Sequence, residues 1–207
     1  MTRYYAEDVV AKAAWWFALL AGVLILVWSS ANPDGLYLGT IQIAMLVAGK
    51  LMYPKQRLGR VEDNPFQSKT PRQRRYASNR NTTLIAIVLG LAGISIVQLL
   101  LLGSIRFGIP NLFSDVFYSY TCISSAISES YFLHWGVQTN LTTFIHRYAG
   151  LIAVPLIAVT LHSAVYGTSG ALLLMVAAGF LIFALVFEYT RRLSVPLIVH
   201  LVVNVLG

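Results

Sequence analysis

Seven apolar runs, each near the ~20 residues that a helix needs to cross a bilayer, leave this chain few options. They lie at 13–28, 36–53, 82–102, 112–133, 144–166, 171–189 and 195–206. Apolar residues make up 57% of the sequence and charged residues 11%, against roughly 25% in a soluble domain. No water-facing surface could be built from that balance. Within lipid every backbone N–H and C=O must be satisfied inside its own segment. The predicted fold is therefore all-α, a polytopic transmembrane bundle of about seven helices. Turn chemistry separates the runs at Asn32-Pro33-Asp34-Gly35, Gly108-Ile109-Pro110-Asn111 and Gly167-Thr168-Ser169-Gly170.

The net charge of +7 sits almost wholly in one place. Between Pro54 and Asn81 lie Lys55, Arg57, Arg60, Lys69, Arg72, Arg74, Arg75 and Arg80, against Glu62 and Asp63. Such a block beside a membrane helix reads as a cytoplasmic loop obeying the positive-inside bias rather than as a nucleic-acid surface. The N-terminus is then cytoplasmic too, Arg191 and Arg192 also fall inside, and the setting expected is the plasma membrane. The chain divides into an N-terminal transmembrane hairpin (1–53), the basic loop (54–81), a third transmembrane helix with its outer loop (82–111) and a C-terminal unit (112–207). The polar start is followed by no small-residue cleavage site, so no removable signal is expected. Cys122 is the single cysteine, which excludes an intramolecular disulfide.

Most ionisable residues lie at the ends of runs. Lys50 is expected to snorkel to the interface, Glu188 to pair with Arg191 or Arg192, and Asp115 to sit at a helix start. Glu129, His162, His200 and Asn204 lie inside apolar runs instead. A charge there costs at least ~2.5 kcal/mol, which makes a functional site the default reading. His200 and Asn204 are i and i+4, hence on one helix face, where two donors can meet one oxyanion. A carboxylate with little water around it is a stronger base. Glu129 with a histidine partner could thus take a proton from a water attacking a carbonyl: peptide hydrolysis without a side-chain nucleophile.

These residues fall in a recognisable pattern. Ser128-Glu129-Ser130-Tyr131-Phe132-Leu133-His134, then Val159-Thr160-Leu161-His162, then His200-Leu201-Val202-Val203-Asn204 resemble the motifs of the CPBP glutamic intramembrane proteases. That family, also called Abi-like, includes type II CAAX prenyl endopeptidases and bacteriocin-processing enzymes, and its pattern is EExxxR, FxxxH and HxxxN on successive membrane helices. The resemblance implies a CPBP-like catalytic core over 112–207. It implies that Glu129 and His162 activate water and that His200 and Asn204 form the oxyanion site. It needs no cofactor and no metal, and its substrate is a membrane-embedded or lipidated peptide. The sequence departs from the pattern at Ser130 (second glutamate), His134 (arginine) and Ala158 (phenylalanine). Ser130 and His134 remain candidate supporting residues. The departures leave two readings open, a divergent enzyme and a non-catalytic or immunity-type membrane protein of the same fold.

Other chemistries find less support. The histidines at 134, 146, 162 and 200 include no HExxH and no close pair on one helix, as a metal or haem site would want. A transporter or channel would want repeats. Gly167-Thr168-Ser169-Gly170 matches the GxSG of rhomboid serine proteases, but four-residue Gly/Ser turns are common and it reads first as a tight interhelical loop. If it is only a turn, Ser169→Ala leaves turnover unchanged and serine-directed fluorophosphonates do not label the chain. Stoichiometric labelling of Ser169 would favour the serine reading.

Overall fold

The computed structural model describes residues 7–28, 33–53, 80–105, 116–166 and 169–206. Residues 54–79 of the basic loop, Asp115 and the turn residues 29–32, 108–111 and 167–168 lie outside them. The described residues are helical throughout, in seven runs: α1 (Val9–Trp28), α2 (Pro33–Met52), α3 (Arg80–Leu102), a long fourth run, α6 (Arg147–Tyr166), α7 (Gly170–Thr190) and α8 (Ser194–Leu206). The fourth run is composite: α4 (Val116–Glu129) passes into a π-helical segment (Ser130–Gln138) and then into α5 (Thr139–Phe144). The protein is a helical membrane bundle. Val9–Val27, Asn81–Leu102 and Gly170–Thr190 are long and apolar enough to cross a bilayer, and Leu38–Met52, Tyr148–Ser163 and Ser194–Asn204 are shorter apolar helices.

Which face each helix turns inward follows its side chains. On α7, Phe180, Phe183, Ala184 and Phe187 are buried, while Leu181, Leu185 and Tyr189 on the opposite face are exposed. α1 exposes Trp16, Leu20, Val23 and Val27 and buries Ala11, Ala18 and Ala21. Large apolar groups face outward and small ones inward, the pattern expected where lipid is the solvent and close backbone approach drives association. Polar groups turn inward and pair. Gln42 of α2 is buried and donates to Ser125 Oγ at 2.7 Å on α4.

Two sequence expectations change here. Pro33 and Gly35, expected in a turn, belong to the first turn of α2; proline suits that position because its missing N–H would be unpaired there anyway. The fourth run does not stop near 133. It stays helical to Phe144, and Gly136, Val137, Gln138 and Thr139 are buried. The change of winding carries it on: the Thr139 N–H and hydroxyl both meet the His134 carbonyl five residues back, the latter at 3.0 Å. Wide turns of this kind are rare and concentrate at functional sites.

α2 lies directly against the π segment. A Cβ on Gly49 would stand 2.2 Å from the Tyr131 carbonyl oxygen, and one on Gly136 would stand 3.1 Å from Gly49 Cα. Asn140 Nδ2 donates across the same seam to the Met52 carbonyl, and Tyr53 stacks on Trp135 at 4.0 Å between centroids. At Gly49 the obstacle is backbone, which cannot swing aside. Gly49→Ala should therefore destabilise the bundle by roughly 1–3 kcal/mol, the usual range for overpacking. Thermal unfolding in detergent measures this, and an unshifted transition would show that the seam is looser than drawn.

Candidate active site

The site is built where the π segment begins. Glu129 is the last residue of α4 and is buried. Its Oε2 lies 3.7 Å from His200 Nε2 on α8 and 3.9 Å from His162 Nε2 on α6. Three residues from three elements, far apart in sequence, thus meet at one carboxylate oxygen. Among the described residues Glu129 Oε2 accepts no hydrogen bond. Both separations exceed direct hydrogen-bond reach.

The tautomer of His162 follows from its other nitrogen. Nδ1 lies 2.9 Å from the Ala158 carbonyl, which can only accept, so Nδ1 carries the hydrogen. In the neutral ring Nε2, facing Glu129, is then a lone pair. His200 Nδ1 lies 3.5 Å from Ser130 Oγ. If that hydroxyl donates, His200 Nε2 carries the hydrogen and is a donor towards the same point.

Asn204 sits one turn further along α8 and its Nδ2 donates to the Cys122 carbonyl at 3.3 Å. A helical carbonyl points towards the C-terminus, so this oxygen stands near the level of Ala126, one turn before Ser130. α8 therefore runs antiparallel to α4, with His200 and Asn204 both turned towards it. The amide keeps a second hydrogen for another acceptor.

His134 does not join the carboxylate. It is fully buried, and its Nδ1 lies 2.8 Å from Gln138 Oε1. Gln138 Nε2 donates to the Ala184 carbonyl at 2.9 Å, which makes Oε1 the acceptor and His134 the donor. The residue standing where the family has an arginine is thus a pin between the π segment and α7. Its role is to hold the segment, and its spacing of four from Gln138 was visible in the sequence.

Phe180 organises the cluster and nothing in the sequence marks it out from other aromatics. Its ring lies 5.2 Å from that of His200, 5.6 Å from that of His162 and 6.4 Å from that of His134. Phe183 adds a stack on His200 at 4.6 Å. Counting residues from the outer turn and from Arg192 puts His162 and His200 at different depths. Phe180, halfway along α7, touches both, so one level accommodates them. The same ring separates the serine alternative: Ser169 is exposed before α7, and Phe180 lies about 15 Å further along it. His146 is exposed between α5 and α6. Among the described residues no group of three His, Cys, Asp or Glu side chains is placed to hold a metal ion.

Lys50 pairs with Glu7, and its ammonium stands 5.6 Å from the ring centres of Trp15 and Tyr131. Glu7 and Tyr131 drew no attention as sequence, since one lies before the first apolar run and the other looks like an ordinary aromatic.

No curated protein and no solved structure matches the chain. A family model does match, over residues 111–206, and its description is "Type II CAAX prenyl endopeptidase Rce1-like". That span contains Glu129, Ser130, His134, His162, His200 and Asn204, the residues on which the resemblance to CPBP proteases rests. Over residues 111–206, a little under half of the sequence, this chain is similar to the Rce1-like type II CAAX prenyl endopeptidases.

Proposed function

We propose that the protein is an intramembrane endopeptidase in which Glu129 activates water, acting on a membrane-embedded or lipidated peptide. The observation that carries this reading is the convergence on Glu129 Oε2 of two imidazole nitrogens within 4 Å. One water between them would give a hydrogen to Glu129 and the other to the His162 Nε2 lone pair, leaving an oxygen lone pair for the substrate carbonyl. As the C–O bond forms, Glu129 takes the water proton. The carbonyl oxygen becomes an oxyanion that His200 Nε2–H and the second Asn204 hydrogen stabilise. Collapse breaks the C–N bond, and Glu129 returns its proton to the leaving amine. Ser130 holds His200 in the donor tautomer.

The family description names a CAAX prenyl endopeptidase, and a prenylated C-terminal peptide is accordingly one candidate substrate class. By its charge bias the chain would lie in the plasma membrane with the N-terminus and the basic loop in the cytoplasm. The competing reading, a non-catalytic protein of the same fold, draws on the loss of the second acid and of the arginine at Ser130 and His134.

Glu129→Gln decides between them. It preserves size and cannot accept the proton, so turnover of a prenylated peptide should fall at least ~100-fold. Cleavage at the unaltered rate by that variant would remove Glu129 from the mechanism.

The oxyanion pair has its own signature. Asn204→Ala should lower kcat more than it raises KM, by roughly 100-fold for one lost donor. His200→Ala combined with it should cost less than the product of the two single losses, because both donors serve one oxygen. Multiplicative losses that follow thermal unfolding would make the pair packing contacts only.

A further inference from the structure

Two adjacent acids at the start of α1 each hold a different element of the site. Glu7 Oε1 accepts from the Tyr131 hydroxyl at 2.7 Å and pairs with Lys50 of α2. Asp8 Oδ1 accepts from the Ala11 N–H at 3.1 Å, which caps α1, and its Oδ2 accepts from the Ser194 hydroxyl. Tyr131 is the second residue of the π segment, two places after Glu129, and Ser194 is the first residue of α8, six places before His200. The carrier of the acid and the carrier of the oxyanion pair are thus tied to consecutive residues of one helix end.

Packing alone does not call for these groups. Tyr131 is fully buried in an apolar cluster where phenylalanine would fill the same space. Its single hydroxyl hydrogen faces two acceptors, Glu7 Oε1 and the Ala11 carbonyl at 2.8 Å. Lys50 rests over the Tyr131 ring, so the pair with Glu7 bridges α1, α2 and the π segment at once. Glu7, Asp8 and Lys50 all lie outside the span that matches the family model.

We propose that Glu7, Asp8, Lys50, Tyr131 and Ser194 are positioning residues that set the separation of Glu129 and His200. The proposal rests on the reading of Glu129 as general base. Misplacement by about 1 Å can cost up to ~100-fold in rate, so a support of this kind acts on kcat rather than on substrate binding.

The test uses the full chain in lipid vesicles and the variants Tyr131→Phe, Ser194→Ala, Glu7→Gln, Lys50→Met and Lys50→Arg. Tyr131→Phe and Ser194→Ala should each lower kcat roughly 10-fold or more, with KM and the unfolding temperature little changed. Lys50→Arg should restore most of what Lys50→Met loses. Tyr131→Phe with Glu7→Gln should cost less than the product of the two single losses, because both touch the Tyr131–Glu7 contact while Glu7→Gln also weakens the Lys50 pair. Backbone hydrogen exchange over residues 130–138 should quicken in Tyr131→Phe, a readout that needs no activity. Loss of activity that follows unfolding, a change in KM alone, or unchanged exchange would each overturn the proposal. An active Glu129→Gln would instead sink the general-base reading, while the exchange result would still stand or fall separately.

Discussion

Glu129 is placed where lipid tolerates a carboxylate least, on a buried helix face with no hydrogen bond to Oε2 among the described residues. Much of the bundle can be understood as answering that placement. α6 and α8 each bring one imidazole nitrogen to it, and α7 brings the phenyl ring that spaces the imidazoles. The helix that carries the acid gives up regular winding immediately after it. Such a segment is costly by itself. It is held by α2 through Gly49 and Gly136, by α7 through His134 and Gln138, and by α1 through Glu7. Polar contacts of this kind act in place of the hydrophobic driving force, which lipid cannot supply between helices.

The departures from the family pattern make sense together. Ser130 and His134 stand where the pattern of the CPBP proteases has an acid and an arginine, so this segment buries neither charge, and an unpaired buried charge would be far more expensive than none. The remaining pieces are neutral and satisfied locally: Ser130 stands beside His200, and His134 is a donor to Gln138. The charge pair that does border the π segment, Lys50 with Glu7, comes from helices before the matched span.

A bundle of about seven helices could be read directly, and Glu129, His162, His200 and Asn204 could be singled out as candidates, because polar groups are conspicuous in an apolar text and lipid makes each one expensive. The winding of residues 130–138 could not. Leucine, tyrosine and tryptophan at those positions serve α and π geometry alike, and only contact with α2 and α7 decides between them. The partner of Lys50 is hidden for a related reason: it lies 43 residues away in a stretch with no motif. Phe180 is one of ten phenylalanines and gains meaning only from the three rings around it.

The contacts of Glu7 and Asp8 also bear on when the protein becomes competent. Asp8 and Ser194 are 186 residues apart, and Glu7 and Tyr131 are 124 apart. Synthesis proceeds from the N-terminus, so Glu7 can meet Lys50 and then Tyr131 early, whereas Asp8 meets Ser194 only once α8 has followed α7. Glu129, His162 and Phe180 can be inserted before α8 exists, yet His200 and Asn204 are not in place until α8 docks. The cluster around Glu129 therefore closes only when α8, made after the other described helices, packs against α4 and meets α1.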